Sequence, residues 1–287
     1  MRLLFLTALI IAVEASAQHI TEFHFMQIAP ETVTQTMQLN AGKVFAEIHT
    51  AYELKQDVVN IPPSCATAEG IKNIKMLWDA QKFYCTETEI IAKVLSTSKG
   101  WQVRNIPVFF ADGVTDEDKY QDMVLEFTSD GRISDLYIAL SPIFYQQNME
   151  VETLDVSELR QRQQLWRFLE NFYTAFFRKD IAFLNKVFEN GVDVGQNPTE
   201  AIRRVINENS FTIRFDEVSL IKHAEQSDFY GVTMQLKWKT DFYSDEGWLF
   251  LLIDIRDEEN PMIWVRTWQP LTTPREKVFS ILDFPVQ

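Results

Sequence analysis

Apolar and polar positions alternate along this chain with two different periods, and the period switches several times. From Glu31 to Lys55, Val33, Met37, Val44, Ile48 and Tyr52 recur at helical spacing. Pro62-Pro63 closes that segment, and Ser64 or Thr67 caps a second helix that carries Ile71, Ile74, Leu77 and Trp78. After Gln81 the period falls to two. Residues 89–96, 101–110, 121–128 and 132–140 read as strands joined by Ser98-Lys99-Gly100 and Ser129-Asp130-Gly131, where glycine supplies the positive φ of a tight turn. Residues 20–30, with Phe23 and Phe25 alternating against His24, read as extended.

The helical period returns at Ser157. Leu159, Leu165, Trp166, Leu169, Phe172, Tyr173 and Phe176 form a wide apolar stripe, and a shorter helix holds Ile181, Leu184, Val187 and Phe188. Residues 191–195 read as a short strand. Asn197-Pro198 starts a helix that runs to Asn209. Strands over 211–223, 228–240, 247–257 and 262–269 follow, with a tail strand at 278–282. Helices before strands, repeated twice, predict an α+β protein with two domains rather than alternating α/β. The polar stretch 141–156, opened by Pro142, reads as the connector and puts the boundary near residue 150, between a domain at 18–150 and one at 157–287.

The second helical stretch, LWRFLENFYTAFFRKDIAFLNKVFENGVDVG, and the meander from Phe211 to Pro270 resemble the nuclear-transport-factor-2-like and SnoaL-like domains, as found in exported bacterial proteins that join such a domain to a separate N-terminal unit. The resemblance implies a cone of helices on a curved antiparallel sheet. It also implies pairing through the sheet, or, in enzymatic relatives, isomerase- or cyclase-like chemistry in a pocket inside the cone. The first unit reads as a divergent copy, with helices preceding an antiparallel meander.

Alternation sorts the strand faces. Leu249, Leu251, Ile253 and Ile255 share one face, and Tyr230, Val232, Met234, Leu236 and Trp238 belong with them as the lining under the helices. Trp248, Asp254, Arg256, Trp264, Arg266 and Trp268 fall on the other face, expected to point outward, because a charge buried beneath the helices without a partner costs several kcal/mol. Tryptophan and arginine interleaved on an outer sheet face suit a contact with the N-terminal unit, a second copy or a protein partner. Cross-strand ladders that only stabilise the sheet are the plainer alternative. Tyr173 and Trp238 are the candidates for a pocket inside the cone.

Composition narrows the classes. The formal charge is −14, without a basic tract, which disfavours nucleic acid as a partner. Arg2, the apolar run from Leu3 to Val13 and Ala15-Ser16-Ala17 make residues 1–17 a secretory signal peptide. That run is shorter than the roughly 20 residues of a membrane span. The expected destination is the periplasm or cell surface. An exported compartment permits a disulfide between Cys65 and Cys85, which would close a loop of about 20 residues and stabilise by roughly 3 kcal/mol; two buried thiols are the other reading. His19, His24, His49 and His223 fall in no ligand spacing, so no metal and no cofactor is expected. Asp193 reads as a turn carboxylate, and the acidic stretch from Asp112 to Asp122 lacks calcium-loop spacing. No catalytic residue is assigned.

Overall fold

A computed structural model of the chain describes residues 21–26, 29–112, 119–188, 192–195, 206, 211–222, 228–240, 242–257 and 259–272. Residues 1–20, His223 and the tail strand at 278–282 lie outside them, as does most of the helix expected from Asn197 to Asn209.

The protein is α+β, as its pattern predicts. In the first half, strands β1 (Glu22–Met26), β3 (Glu89–Thr97), β4 (Gly100–Phe110), β5 (Tyr120–Thr128) and β6 (Ile133–Ile138) pair in that order, and β2 (Phe83–Cys85) pairs with β4. All these neighbours are antiparallel except β1 on β3, which is parallel. Helices α1 (Glu31–Glu53) and α2 (Ala68–Ala80) pack on this sheet. Met37, Ala41, Val44, Phe45, Ile48 and Ala51 are the buried stripe of α1. The Thr67 side chain caps α2 by accepting from the Gly70 amide at 3.0 Å. Gly70 also lets the helix approach β6 closely: a Cβ there would lie 2.6 Å from the Ile133 carbonyl. Gly131, at φ +87°, makes the β5–β6 turn that a side chain would strain.

The expected connector at 141–156 contains a helix, α3 (Pro142–Met149). Pro142 occupies the first turn, where its missing N–H costs nothing, so it starts this helix rather than breaking the chain. Helix α4 (Val156–Phe177) follows, capped by Asp155, which accepts from the Glu158 amide at 2.7 Å. Helix α5 (Ile181–Phe188) and strands β7 (Val192–Gly195), β8 (Phe211–Lys222), β9 (Phe229–Thr240), β10 (Ser244–Asp254) and β11 (Met262–Pro270) complete the described second half. Its sheet runs β7-β11-β10-β9-β8, antiparallel except for the parallel edge pair β7–β11.

Helix α4 serves both sheets. Leu165, Leu169, Phe172, Tyr173 and Phe176 are buried, and the Phe172 and Tyr173 rings lie 6.0 and 5.0 Å from Phe215 of β8. On its other side, residues spaced three and four apart form a polar stripe against the first sheet. Arg167 pairs with Glu126 at 2.6 Å. Glu170 pairs with Arg104 through both oxygens. Thr174 accepts from the Ile138 amide at 2.8 Å, and Arg178 donates to Asp135 at 3.1 Å. Arg104 also stacks on the Tyr145 ring at 4.1 Å, and Trp166 donates its indole N–H to Glu170 at 3.0 Å. Tyr137, in turn, donates to Glu126 at 2.8 Å. Buried arginines and carboxylates are tolerated here because each finds its partner across the contact. A small cavity of about 60 Å³ lies beside this stripe, next to the β3–β4 turn.

A contact between the two halves was one of the roles open to the Trp/Arg face of the second sheet. The halves meet through the polar side of α4 instead, with one further ion pair at the rim, Lys99–Glu259 at 2.7 Å. A single hydrophobic cluster runs from Phe23 through α4 to Trp268. Cys65 and Cys85 are both buried and free, so no disulfide closes that loop. Cys85 donates to the Glu87 carbonyl at 3.7 Å, and burial pushes its thiol pKa up, away from a reactive thiolate.

Candidate binding surfaces of the second sheet

Strand β10 holds to the alternation expected of it. Leu249, Leu251, Ile253 and Ile255 are buried in the main core with Tyr230, Val232, Met234, Leu236 and Trp238. Strand β11 does not. Leu252 pairs with Val265, but the next residue, Ile253, pairs with Ile263, so Trp264 is an extra residue in β11. A bulge of this kind resets the facing of everything beyond it. Downstream, Arg266 stands opposite Leu251 and Trp268 opposite Leu249, on the inner face. Trp264 and Val265 both belong to the outer side.

This corrects the expected placing of two of the six residues. Trp268 stacks on Trp238, with centroids 4.9 Å apart and planes at 27°. Room for its indole comes from Gly247, where a Cβ would meet the ring at 2.6 Å. Arg266 lies over the Phe188 ring of α5 at 4.2 Å, and burial pulls its guanidinium pKa down. The cost of a charge under the helices, which had argued for the outer face, is offset there in part by the aromatic face of Phe188. Aromatic rings line the interior: Phe172 lies 5.7 Å from Phe188, and Trp238 stacks on Trp268.

The other four residues stand outside. Phe250 and Leu252 form a satellite cluster on the outer face, packed by the half-buried Phe229, Trp248 and Val265. Trp264 keeps 39% of its surface exposed and meets Phe229 edge-on at 6.3 Å. Arg256 reaches over the same Phe229 ring at 5.1 Å while its Nε donates to both oxygens of Asp254 at 3.0 Å. Ile221 of β8 is also exposed and lies in the cross-strand row Ile221–Gly231–Leu252–Val265.

Burial alone would raise the Asp254 carboxyl pKa. Hydrogen bonds from the Arg256 side chain and amide and from the Trp264 indole outweigh it and hold the group below the usual aspartate range. A carboxylate with a depressed folded pKa stabilises fully above its unfolded value, and that stabilisation is lost as pH falls through the folded one. The stability gap between wild type and Asp254→Asn is therefore expected to be largest near neutral pH and to close below about pH 4. Thermal melts across pH check this, and a gap that stays constant contradicts it.

Of the pocket candidates, Trp238 is buried in the stack with Trp268. Tyr173 donates its hydroxyl to the Ile213 carbonyl at 3.1 Å and edges a surface cleft between the halves. The backbone of Asp193 pairs with Arg266 in register, while its side chain lies outside the described residues, as do residues 113–118 of the acidic stretch. Among the described residues, no cluster of His, Cys, Asp or Glu could hold a metal ion, and no helix is long and apolar enough to cross a membrane. What sequence reasoning missed is the polar stripe of α4 and the bulge at Trp264. The first had a signal, the charges of Glu170 and Arg178 among the aromatic residues between Phe168 and Phe177; the second had none.

No family model and no curated protein matches the chain. Among solved structures, Bdellovibrio bacteriovorus Bd1075 is similar over 42% of this chain at 19% identity with a TM-score of 0.34, and the match spans 45% of that protein's length. A structure described as an Ntf2-like protein involved in plasmid conjugation is similar over 74% of this chain and 87% of its own, at 9% identity and a TM-score of 0.26. Both are distant likenesses.

Proposed function

We propose that this chain is an exported binding or assembly protein of the nuclear-transport-factor-2-like, SnoaL-like kind, whose contact surface is the outer face of the second sheet. The observation that carries the reading is the patch around Trp264: exposed Trp264 and Ile221, half-buried Phe229 and Trp248, and Arg256 held over Phe229 by Asp254. Aromatic and arginine side chains pre-set in one orientation lose little conformational freedom on contact, which is why such residues dominate interface energetics. The halves of the chain meet elsewhere, through α4, and the exposed part of this face, around Trp264 and Ile221, is the part proposed to meet a protein partner or a second copy. Export is supported by the N-terminal charge, apolar run and Ala15-Ser16-Ala17, and places the contact in the periplasm or at the cell surface.

The test is site-specific photo-crosslinking in the native cells. A photoreactive phenylalanine analogue replaces Trp264 in one strain and the exposed Lys72 of α2, away from this sheet, in another. A discrete adduct from position 264, in the exported fraction, is expected, with none from position 72. Adducts that are equal at both positions, or absent at 264, would overturn the reading.

A further inference from the structure

The middle of the second sheet's outer face is buried as deeply as the core. Thr267 stands opposite Phe250, and Phe250 opposite Thr233, so the three form one row across β11, β10 and β9. Their exposures are 0%, 1% and 1%. A row on an open sheet face keeps more surface than that, as Trp264 and Ile221 do nearby, with 39% and 42%. Phe229, Trp248 and Val265 flank the row but are themselves only half-buried, so they wall it in without roofing it. Helix α5, which packs on β11, lies on the inner side, where Arg266 covers the Phe188 ring.

The chemistry of the cover can be read from beneath. The Thr233 and Thr267 hydroxyls are buried, and neither has a hydrogen-bond partner among the described residues. A hydroxyl beneath a polar cover ordinarily finds one, so what lies over these two is apolar. Phe250 and Leu252, in the same satellite cluster, favour the same kind of cover.

The chain beyond β11 supplies it. Strand β11 ends at Pro270, opposite Gly247, and residues 273–287 follow the last described residue, Thr272. Pro274 suits a reversal, and Val278, Phe279, Ile281, Leu282 and Phe284 bring apolar side chains. A chain returning from Thr272 travels back about 15 Å to reach Thr267, and crossing from β11 to β9 adds about 10 Å. A stretch as long as 273–287 reaches about 50 Å when extended. Trp264 and Ile221, the exposed part of the face, lie at the other end of the strands from Pro270. Two other segments are poorer covers: Ile206, between β7 and β8, packs in the main core, and residues 223–227, HAEQS, are polar.

We propose that residues 278–284 dock as a strap on the Thr267–Phe250–Thr233 row. The proposal does not depend on what meets Trp264. Disulfide trapping in the full chain tests it. Thr233→Cys, close in size to the native residue, is combined with a cysteine at each position from 278 to 284 in turn; the native Cys65 and Cys85 are buried. Under mild oxidation at least one pair is expected to close within the monomer, while the same tail cysteine combined with Lys72→Cys on α2 stays reduced. No closure at any position, or equal closure with position 72, overturns the proposal. So does a disulfide-linked dimer, which would assign the cover to a second copy. Hydroxyl-radical footprinting gives a second readout without cysteines. Ile281→Asp with Leu282→Asp should raise oxidation of Phe250 several-fold while Phe127, in the main core, stays protected. A Phe250 that stays protected as well contradicts the strap.

Discussion

Glu170→Ala is expected to cost about 3–5 kcal/mol of folding stability, because it leaves the buried Arg104 guanidinium without its counter-ion. The side chain of Glu170 is fully buried, and it accepts from Arg104, from the Trp166 indole and from the Leu140 amide. In a chain of this size such a loss lowers the melting temperature by on the order of 10 °C. The loss belongs to the unpaired charge rather than to the pair, and a double substitution separates the two. Arg104→Met combined with Glu170→Leu should recover most of the stability, since replacing a buried ion pair by apolar groups of similar volume is often near neutral. Denaturant unfolding of the wild type, the single variants and the double variant gives the coupling directly. If Glu170→Ala costs no more than a surface substitution, the α4 stripe does not hold the halves as described.

The second large effect separates two tryptophans four residues apart. Trp268→Ala is expected to cost about 3–5 kcal/mol, the range for deleting a large buried ring. It empties the stack on Trp238 and the space that Gly247 leaves open. Trp264→Ala should cost only about 1 kcal/mol, the loss of a half-exposed ring and its hydrogen bond to Asp254. Equal costs would mean that both rings share a face. Urea unfolding midpoints of the two variants at constant m decide between these outcomes.

Much of this fold was legible in the chain because its core elements are strongly periodic. Met37, Val44 and Ile48 mark α1 as plainly as Leu249, Leu251 and Ile253 mark β10. Where the reading failed, one residue carried two meanings. Pro142 is a breaker in a polar stretch and an ordinary first-turn residue at the start of α3, and only the context beyond Ser141 distinguishes them. In IWVRTWQP, strict alternation is the simplest reading, and a single extra residue at Trp264 reverses it from Arg266 onward. Nothing in the composition of β11 announces that bulge, since its cause is the pairing with β10. The polar stripe was visible in part, because Glu170 and Arg178 fall in the apolar, buried end of the segment, among Leu169, Phe172, Tyr173, Phe176 and Phe177. Glu170 and Arg178 must then meet partners, which β4 and β6 supply across a contact that pattern alone does not reveal. The cysteines were undecidable for the same reason, because spacing says nothing of whether two buried thiols point at each other.

The contact surface is set by how β11 divides its aromatic residues between the two sides of the sheet. Residue-resolved hydroxyl-radical footprinting of the folded protein measures that division. Rapid oxidation of Trp264, with Trp268 and Trp238 protected until the protein unfolds, is the predicted result. Oxidation of Trp268 as fast as Trp264 would contradict it, and with it the placing of the contact surface.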